Sequence, residues 1–258
     1  MKKLMRIGAD PHSSFVLVLQ LFILSVERYT GLLTHPFSCR VQTNGRSTSM
    51  EFTGTMGELL TLVDIFTDGS YAQKFNAETS PRTILDLGAN IGIATVWFAL
   101  TYPQALVHAY EPNPALYTLL KKNVKSLPHV TTFEEAVTEV AGMVTFNQSL
   151  YSLESSIFEA RDSVIISVPS STLTQAIDAL GGSVDYMKID IEGAEFDVFK
   201  TCSKLASVRS IVGEAHTEQS GHKQEELDDL LSSFNVVEIY NPNNDTVFGF
   251  RAARLTYQ

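Results

Sequence analysis

The sequence predicts an α/β fold: a mainly parallel sheet covered by helices on both faces. Three observations carry that expectation. From Thr83 onward, short apolar runs alternate with helix-like segments. Punctuation falls between them: Pro103 after one helical run, Pro114 near the first turn of the next, Gly181-Gly182 after a third. The last two runs, Val236–Tyr240 and Thr246–Arg251, are separated only by the turn signal "NPNND". A hairpin fits that spacing, so the sheet is expected to close with an antiparallel C-terminal pair.

The elements follow in order. Strands are expected at Thr83–Leu87, Leu106–Tyr110, Val130–Phe133, Tyr186–Ile191, Ile211–Ala215, Val236–Tyr240 and Thr246–Arg251. Extra strands are expected at Val144–Asn147 and Val164–Val168. Helices are expected at Ile91–Thr101, Pro114–Lys125, Thr172–Leu180, Ala194–Thr201 and Gln224–Phe234. Upstream, "FSCRVQTNGRSTSMEFTG" reads as two strands around a turn at Asn44-Gly45. The stretch "NAETSPR" is the best boundary, dividing an N-terminal extension (residues 1–77) from a main domain (residues 78–258).

Composition narrows the function. Hydrophobic residues make up 44% of the chain and charged residues 19%, enough apolar material for a sizeable core. The formal net charge is -10, whereas a phosphate-backbone binder needs a basic surface, so no nucleic acid partner is expected. Cys39 and Cys202 form neither metal-ligand spacing nor a disulfide framework, which fits a reduced, cytoplasmic setting.

Near the N-terminus, Lys2, Lys3 and Arg6 precede the apolar run Phe15–Val26. Asp10 and Pro11 interrupt it as a secretory signal, and no small-x-small cleavage site follows. It is shorter than the roughly 20 apolar residues that span a bilayer. A helix packed in the fold is expected. The alternative is a helix held at a membrane surface or in self-association.

The site is expected at "DLGANIG", where the first strand ends. Ligands of such folds sit beyond the carboxyl ends of the strands, where strand order reverses. A dinucleotide fingerprint would place glycines where this chain has Gly88, Asn90 and Ile93, so two of three are missing. A phosphate loop is absent too. Gly88 permits the turn, and Gly92 permits close approach of a ligand or a neighbouring strand. Glu111 ends the second strand, placed to accept ribose hydroxyls. Asp86 would suit a cationic amino group. An adenosine, an ammonium and no pyrophosphate point to S-adenosylmethionine.

The segments "ILDLGANIG", "AYEPNP", "EEAV", "YMKIDIEGAE" and "IVGEAH" resemble FkbM-type methyltransferases in order and spacing, from about Gly57 to the last helix. The resemblance implies a Rossmann-like class I methyltransferase sheet and S-adenosylmethionine as cofactor. It implies methylation of a hydroxyl on a small molecule, glycan or natural product. It also implies cofactor contacts from Asp86, Gly88, Asn90, Gly92 and Glu111, with Glu135 and Ala136 near the adenine.

A second cluster is Lys188, Asp190 and Glu192 on one strand end and Glu214 and His216 on the next. Strand neighbours bring these ends together, and alternation sets Lys188 with Asp190 and Glu214 with His216. A hydroxyl nucleophile must lose its proton as it attacks, so a base helps. His216 is expected as that base, with Asp190 and Glu214 orienting it or binding substrate. Asp190, Glu214 and His216 are also ligand types for a divalent ion, but their spacing does not demand one, and no metal is expected. His108, in a strand interior, is expected to be structural. The segment Asn147–Asp162, with Tyr151 and Phe158, is expected over the acceptor pocket. The competing reading is a catalytically inactive binding module acting through the N-terminal extension. A nicotinamide dehydrogenase is disfavoured by the missing glycines.

Overall fold

The computed structural model describes residues 1–30, 36–73, 80–149, 163–240 and 246–254. Its N-terminal part comprises α1 (Lys2–Ile7), α2 (Pro11–Thr30), a hairpin of β1 (Phe37–Thr43) and β2 (Arg46–Phe52), and α3 (Met56–Val63). Asn44 and Gly45 turn the hairpin with φ of 51° and 73°, as a two-residue turn requires. A capping box starts α3: the Thr55 hydroxyl accepts from Glu58 N–H, and the Glu58 carboxylate accepts from Thr55 N–H. The chain continues as one π-helical segment, Asp64–Asp68.

The apolar N-terminal run lies in α2, which is longer than the run. Ser13, Leu17, Gln20 and Leu24 are buried at helical spacing, while Phe15, Leu19 and Phe22 are exposed on the outer face. Among the described residues, no helix is long and apolar enough to cross a membrane.

The rest of the chain alternates as expected: β3 (Thr83–Leu87), α4 (Ile93–Thr101), β4 (Leu106–Tyr110), α5 (Pro114–Val124), β5 (Val130–Phe133), β6 (Ala136–Thr138), β7 (Gly142–Ser149) and β8 (Ser163–Thr172). Then come α6 (Leu173–Ala179), β9 (Tyr186–Ile189), α7 (Glu195–Thr201), β10 (Ser210–His216), α8 (Thr217–Ser220), α9 (Gln224–Leu230), β11 (Val236–Tyr240) and β12 (Val247–Ala253). The seven-stranded sheet has the order β11-β12-β10-β9-β3-β4-β5. Strands β10, β9, β3, β4 and β5 run parallel; β12 is antiparallel to both β10 and β11. The C-terminal pair is thus the antiparallel hairpin expected, although the "NPNND" turn lies outside the described residues. Strand β6 was not anticipated. It is three residues long and pairs with β8, distant in sequence, in a small separate sheet with β7.

Alternation along the strands builds two cores. Ile84, Val107, Ala109, Tyr186 and Val212 face one side, packed with α4, α5 and the N-terminal residues Leu4, Leu17, Met50 and Phe52. Leu85, Leu87, Met187, Ile189 and Ile211 face the other, under α6, α7 and α9. The N-terminal segment therefore shares a core with the sheet. The expected boundary at "NAETSPR" falls largely on residues 74–79, outside the described set. His108 is structural in the sense expected: its ring packs against Phe133 with centroids 5.1 Å apart, and burial lowers its pKa.

Candidate active site

Strand order reverses between β3 and β9, and their ends touch. Asp190 N–H donates to Leu87 O at 3.1 Å. Gly88 has φ of 77°, and a Cβ there would lie 1.8 Å from the Asp190 carbonyl oxygen. Glycine is needed twice over: for the left-handed backbone and for the close approach. Asn90 also has positive φ, 53°, and its side-chain oxygen accepts from Ile91 N–H.

The turn then grips Glu111. Asn90 N–H donates to Glu111 Oε2 and Asn113 N–H to Oε1, both at 2.8 Å. Glu111 is buried, and burial pushes its pKa up to about 7 despite those two donors. Gly92 plays a different part from the one expected. A Cβ there would lie 2.8 Å from Leu120 Cδ1, so the close neighbour is the packed side chain of α5.

Asp86 also departs from expectation. It is fully buried and turned toward α4, where Thr95 Oγ1 donates to Oδ2 at 2.5 Å. Lys188 Nζ lies 3.6 Å from its Oδ1 and 3.7 Å from Asp190 Oδ2. The same ammonium donates to the carbonyls of Leu87 and Gly88 at 3.2 and 2.7 Å. Burial works against the charge of Lys188, but Asp190 and Asp86 outweigh it and raise its pKa. Burial raises the Asp86 pKa against the pull of Lys188 and Thr95. Asp86 is thus placed to neutralise Lys188, which in turn pins the turn and Asp190.

These pieces wall a cavity of about 270 Å³. Gly88, Asn90, Glu111, Glu135, Ala136, Asp190 and Glu214 line it, as do Glu192 and Lys188; Asp86, Gly92 and His216 are not among its lining residues. The N-terminal segment closes the other side with Thr61, Asp64, Ile65 and Tyr71. The expected acceptor segment Asn147–Asp162 lies mostly outside the described residues.

His216 stands one layer back, 5% exposed. Its Nδ1–H donates to Glu195 Oε1 at 3.2 Å, and its Nε2 lies 3.4 Å from Glu192 and 4.0 Å from Asp190. Burial opposes its charge, but the hydrogen bond and charge of Glu195, with Asp190 and Glu192, raise its pKa to about 9. An imidazolium cannot accept a proton, so His216 is ill suited to the base role expected of it. Glu214 is different. The charge of Asp190, then burial, lifts its pKa to about 7, while His216 and Lys188 pull the other way. The ligand atoms of Asp190, Glu192 and His216 come within 4.8 Å of one another, close enough for a metal ion. Here Glu192, not Glu214, completes that trio.

Residues 86–241, more than half of the chain, match the family described as the methyltransferase FkbM domain. The chain belongs to the FkbM methyltransferase family. Similar proteins include the AMB antimetabolite synthetase AmbE of Pseudomonas aeruginosa, 27% identical over 213 residues, covering 65% of this chain and 10% of that protein. The methyltransferase sdnD of Sordaria araneosa is 27% identical over 172 residues, covering 53% of this chain and 66% of that protein. The 2-O-methyltransferase NoeI of Sinorhizobium fredii is 25% identical over 182 residues, 62% of this chain and 75% of that protein. The chain thus matches only a tenth of AmbE's length and just under two thirds of sdnD's.

The FkbM domain uses S-adenosylmethionine, and the cavity suits that molecule. Glu111 is a buried carboxylate whose oxygens are already aimed by backbone N–H groups, a ready acceptor for ribose hydroxyls. The lining is rich in carboxylates, and its cation, Lys188, is offset by Asp86 and Asp190. A ligand bearing an ammonium and a sulfonium fits that field. Two residues in contact with these groups escaped the sequence. Glu195 lies in "EGAE" but reads there as an ordinary acid of a helix first turn, and only the fold sets it under His216. Tyr71 lies in no motif, and its ring meets Lys188 Nζ at 5.8 Å from the centroid.

Proposed function

We propose that this chain is an S-adenosylmethionine-dependent O-methyltransferase acting on a hydroxyl of a small molecule or glycan, with Glu214 as general base. One observation carries the reading: Glu111 and Glu214 line the same cavity, with Asp190 between the two strands that bear the cofactor turn and Glu214. The likeness to NoeI, a 2-O-methyltransferase, supports oxygen as the methylated atom. The carboxylate-rich lining and the net charge of -10 support a neutral or cationic acceptor rather than a nucleic acid.

When bound, S-adenosylmethionine supplies an electrophilic methyl on a positively charged sulfur. Glu214 would take the proton that the acceptor hydroxyl gives up as its oxygen gains the methyl and the sulfur is left as a neutral thioether. A pKa of about 7 leaves Glu214 substantially ionised at neutral pH yet basic enough to take a proton. Lys188 holds Asp190 and the Gly88 carbonyl in place, and His216 Nε2 stands 3.4 Å from Glu192 and 4.0 Å from Asp190, behind both carboxylates. Tyr71, Asp64 and Thr61 wall the side left for the acceptor.

The test is transfer of labelled methyl to a panel of hydroxylated glycans, lipids and polyketides, set beside carboxylate- and phosphate-bearing analogues. Methylation of a neutral hydroxyl, lost in Glu214→Gln, supports the reading. Cofactor binding with no transfer to any member would favour the inactive binding module.

A further inference from the structure

The geometry points to a second surface: we propose that α1 and the outer face of α2 dock this protein onto an anionic lipid bilayer surface. Phe15, Leu19 and Phe22 recur at helical spacing on α2 and are 63%, 42% and 67% exposed. Met5, 57% exposed, extends the patch: Ser14, beside Phe15, donates its hydroxyl to the Met5 carbonyl at 3.2 Å. The other face of α2 is spent on the core through Leu17 and Leu24. The helix is therefore held rigidly with its aromatic side outward.

Charge decides the occupant. The chain carries a formal charge of -10, yet residues 1–24 bear Lys2, Lys3 and Arg6 against the single acid Asp10. Lys2, Lys3 and Arg6 are exposed on α1, next to the apolar stripe, and with Lys3 paired to Asp68 it is Lys2 and Arg6 that are offered to headgroups. A second copy of this chain would bring like charges together across the patch, whereas anionic headgroups meet the cations while acyl chains receive the phenyl rings. The opposite face of α2 is committed to the core through Leu17 and Leu24, so only its outer face is offered to lipid and the contact is interfacial. Lys3 also pairs with Asp68 at 2.5 Å, tying α1 to the π-helical segment whose Asp64 and Ile65 wall the cavity. A docked bilayer therefore adjoins the unit that builds one side of the site.

The test is co-sedimentation of the full chain with phosphatidylcholine vesicles, with and without phosphatidylserine. Binding is expected only where phosphatidylserine is present, falling as salt is raised. Each charge reversal in Lys2→Glu and Arg6→Glu should weaken it about five-fold or more. The pair Phe15→Glu and Phe22→Glu should weaken it on the order of 100-fold. Unchanged S-adenosylmethionine affinity in that variant shows that the fold survived. Failure to sediment with phosphatidylserine vesicles overturns the proposal, as does undiminished binding by the Phe variant. So does a dimer in light scattering without lipid that the Phe variant dissolves, since a second copy would then cover the face.

Discussion

His216 Nδ1 lies 3.2 Å from Oε1 of Glu195, a carboxylate with no exposed surface. Glu195 also accepts the backbone N–H groups of Ile191 and Gly193, so it fixes both the imidazole and the turn that carries Glu192. Glu192 sits in that turn at φ of 56°, a conformation that needs outside support in a residue with a side chain. The cation of His216 thus stands behind the carboxylates that face the cavity.

A pH dependence of stability follows. The His216 pKa is raised from 6.5 to about 9 in the folded state, so its contribution is complete below pH 6.5 and lost as pH climbs through about 9. The amount is about 3 kcal/mol. Unfolding free energies of the native chain and His216→Gln should differ most at pH 6 and converge above pH 9, by about this amount. NMR titration should find the imidazole protonated at pH 7 and its pKa lowered in Glu195→Gln. A free-histidine titration in the native chain would refute the pairing.

The rate should rise with pH through the Glu214 pKa of about 7 and then level, because only the carboxylate accepts a proton. Glu214→Gln should lose about 10²–10⁴-fold in methylation rate, and the inflection with it. His216→Gln should behave quite differently. His216 lowers the Glu214 pKa, so its removal should move the inflection to higher pH while the plateau rate is largely kept. If His216→Gln instead abolishes turnover at every pH, the imidazole is the base after all.

Much of this was legible in the sequence, and what was not has physical causes. Strands β3, β4, β5 and β11 were readable to the residue because apolar runs between turn residues have few other ways to fold. The lining positions Gly88, Asn90, Glu111, Asp190 and Glu214 were readable as strand ends, which parallel topology forces together. Which way a side chain turns at a strand end was not. Asp86 faces α4 with Ile84, whereas a reading from spacing alone aimed it at the ligand. Burial of His216 against Glu195 depends on the packing of α7 on β10, which no local pattern announces. Tyr71 and Asp64 come from the N-terminal segment, where the sequence offers no motif.

Glu111→Ala should weaken S-adenosylmethionine binding by about 10- to 150-fold, the equivalent of about 1.5–3 kcal/mol for hydrogen bonds to a charged acceptor. Calorimetric titration measures it directly. Burial has already raised the Glu111 pKa to about 7, so native affinity should also fall as pH drops below 7 and the carboxylate is protonated. Glu111→Ala should flatten that pH dependence. A variant that binds as the native chain does would remove Glu111 from the cofactor site.

Gly88→Ala and Gly45→Ala separate two costs of replacing a glycine. Both glycines have positive φ, 77° and 73°. A Cβ at Gly45 meets nothing within 4 Å, so only the backbone conformation resists it, at roughly 1–2 kcal/mol. A Cβ at Gly88 meets the carbonyl oxygen of Asp190 at 1.8 Å, a backbone atom that cannot swing aside. Overpacking of that kind adds about 1–3 kcal/mol or more. In thermal unfolding, Gly88→Ala should therefore lower Tm by clearly more than Gly45→Ala, with each kcal/mol worth roughly 2–4 °C in a chain of this size. Gly88 and Asp190 line the cavity and Gly45 does not, so methyl transfer should fall in Gly88→Ala and survive in Gly45→Ala. Equal Tm shifts with full activity in both would show that β3 and β9 do not meet as closely as the structure has them.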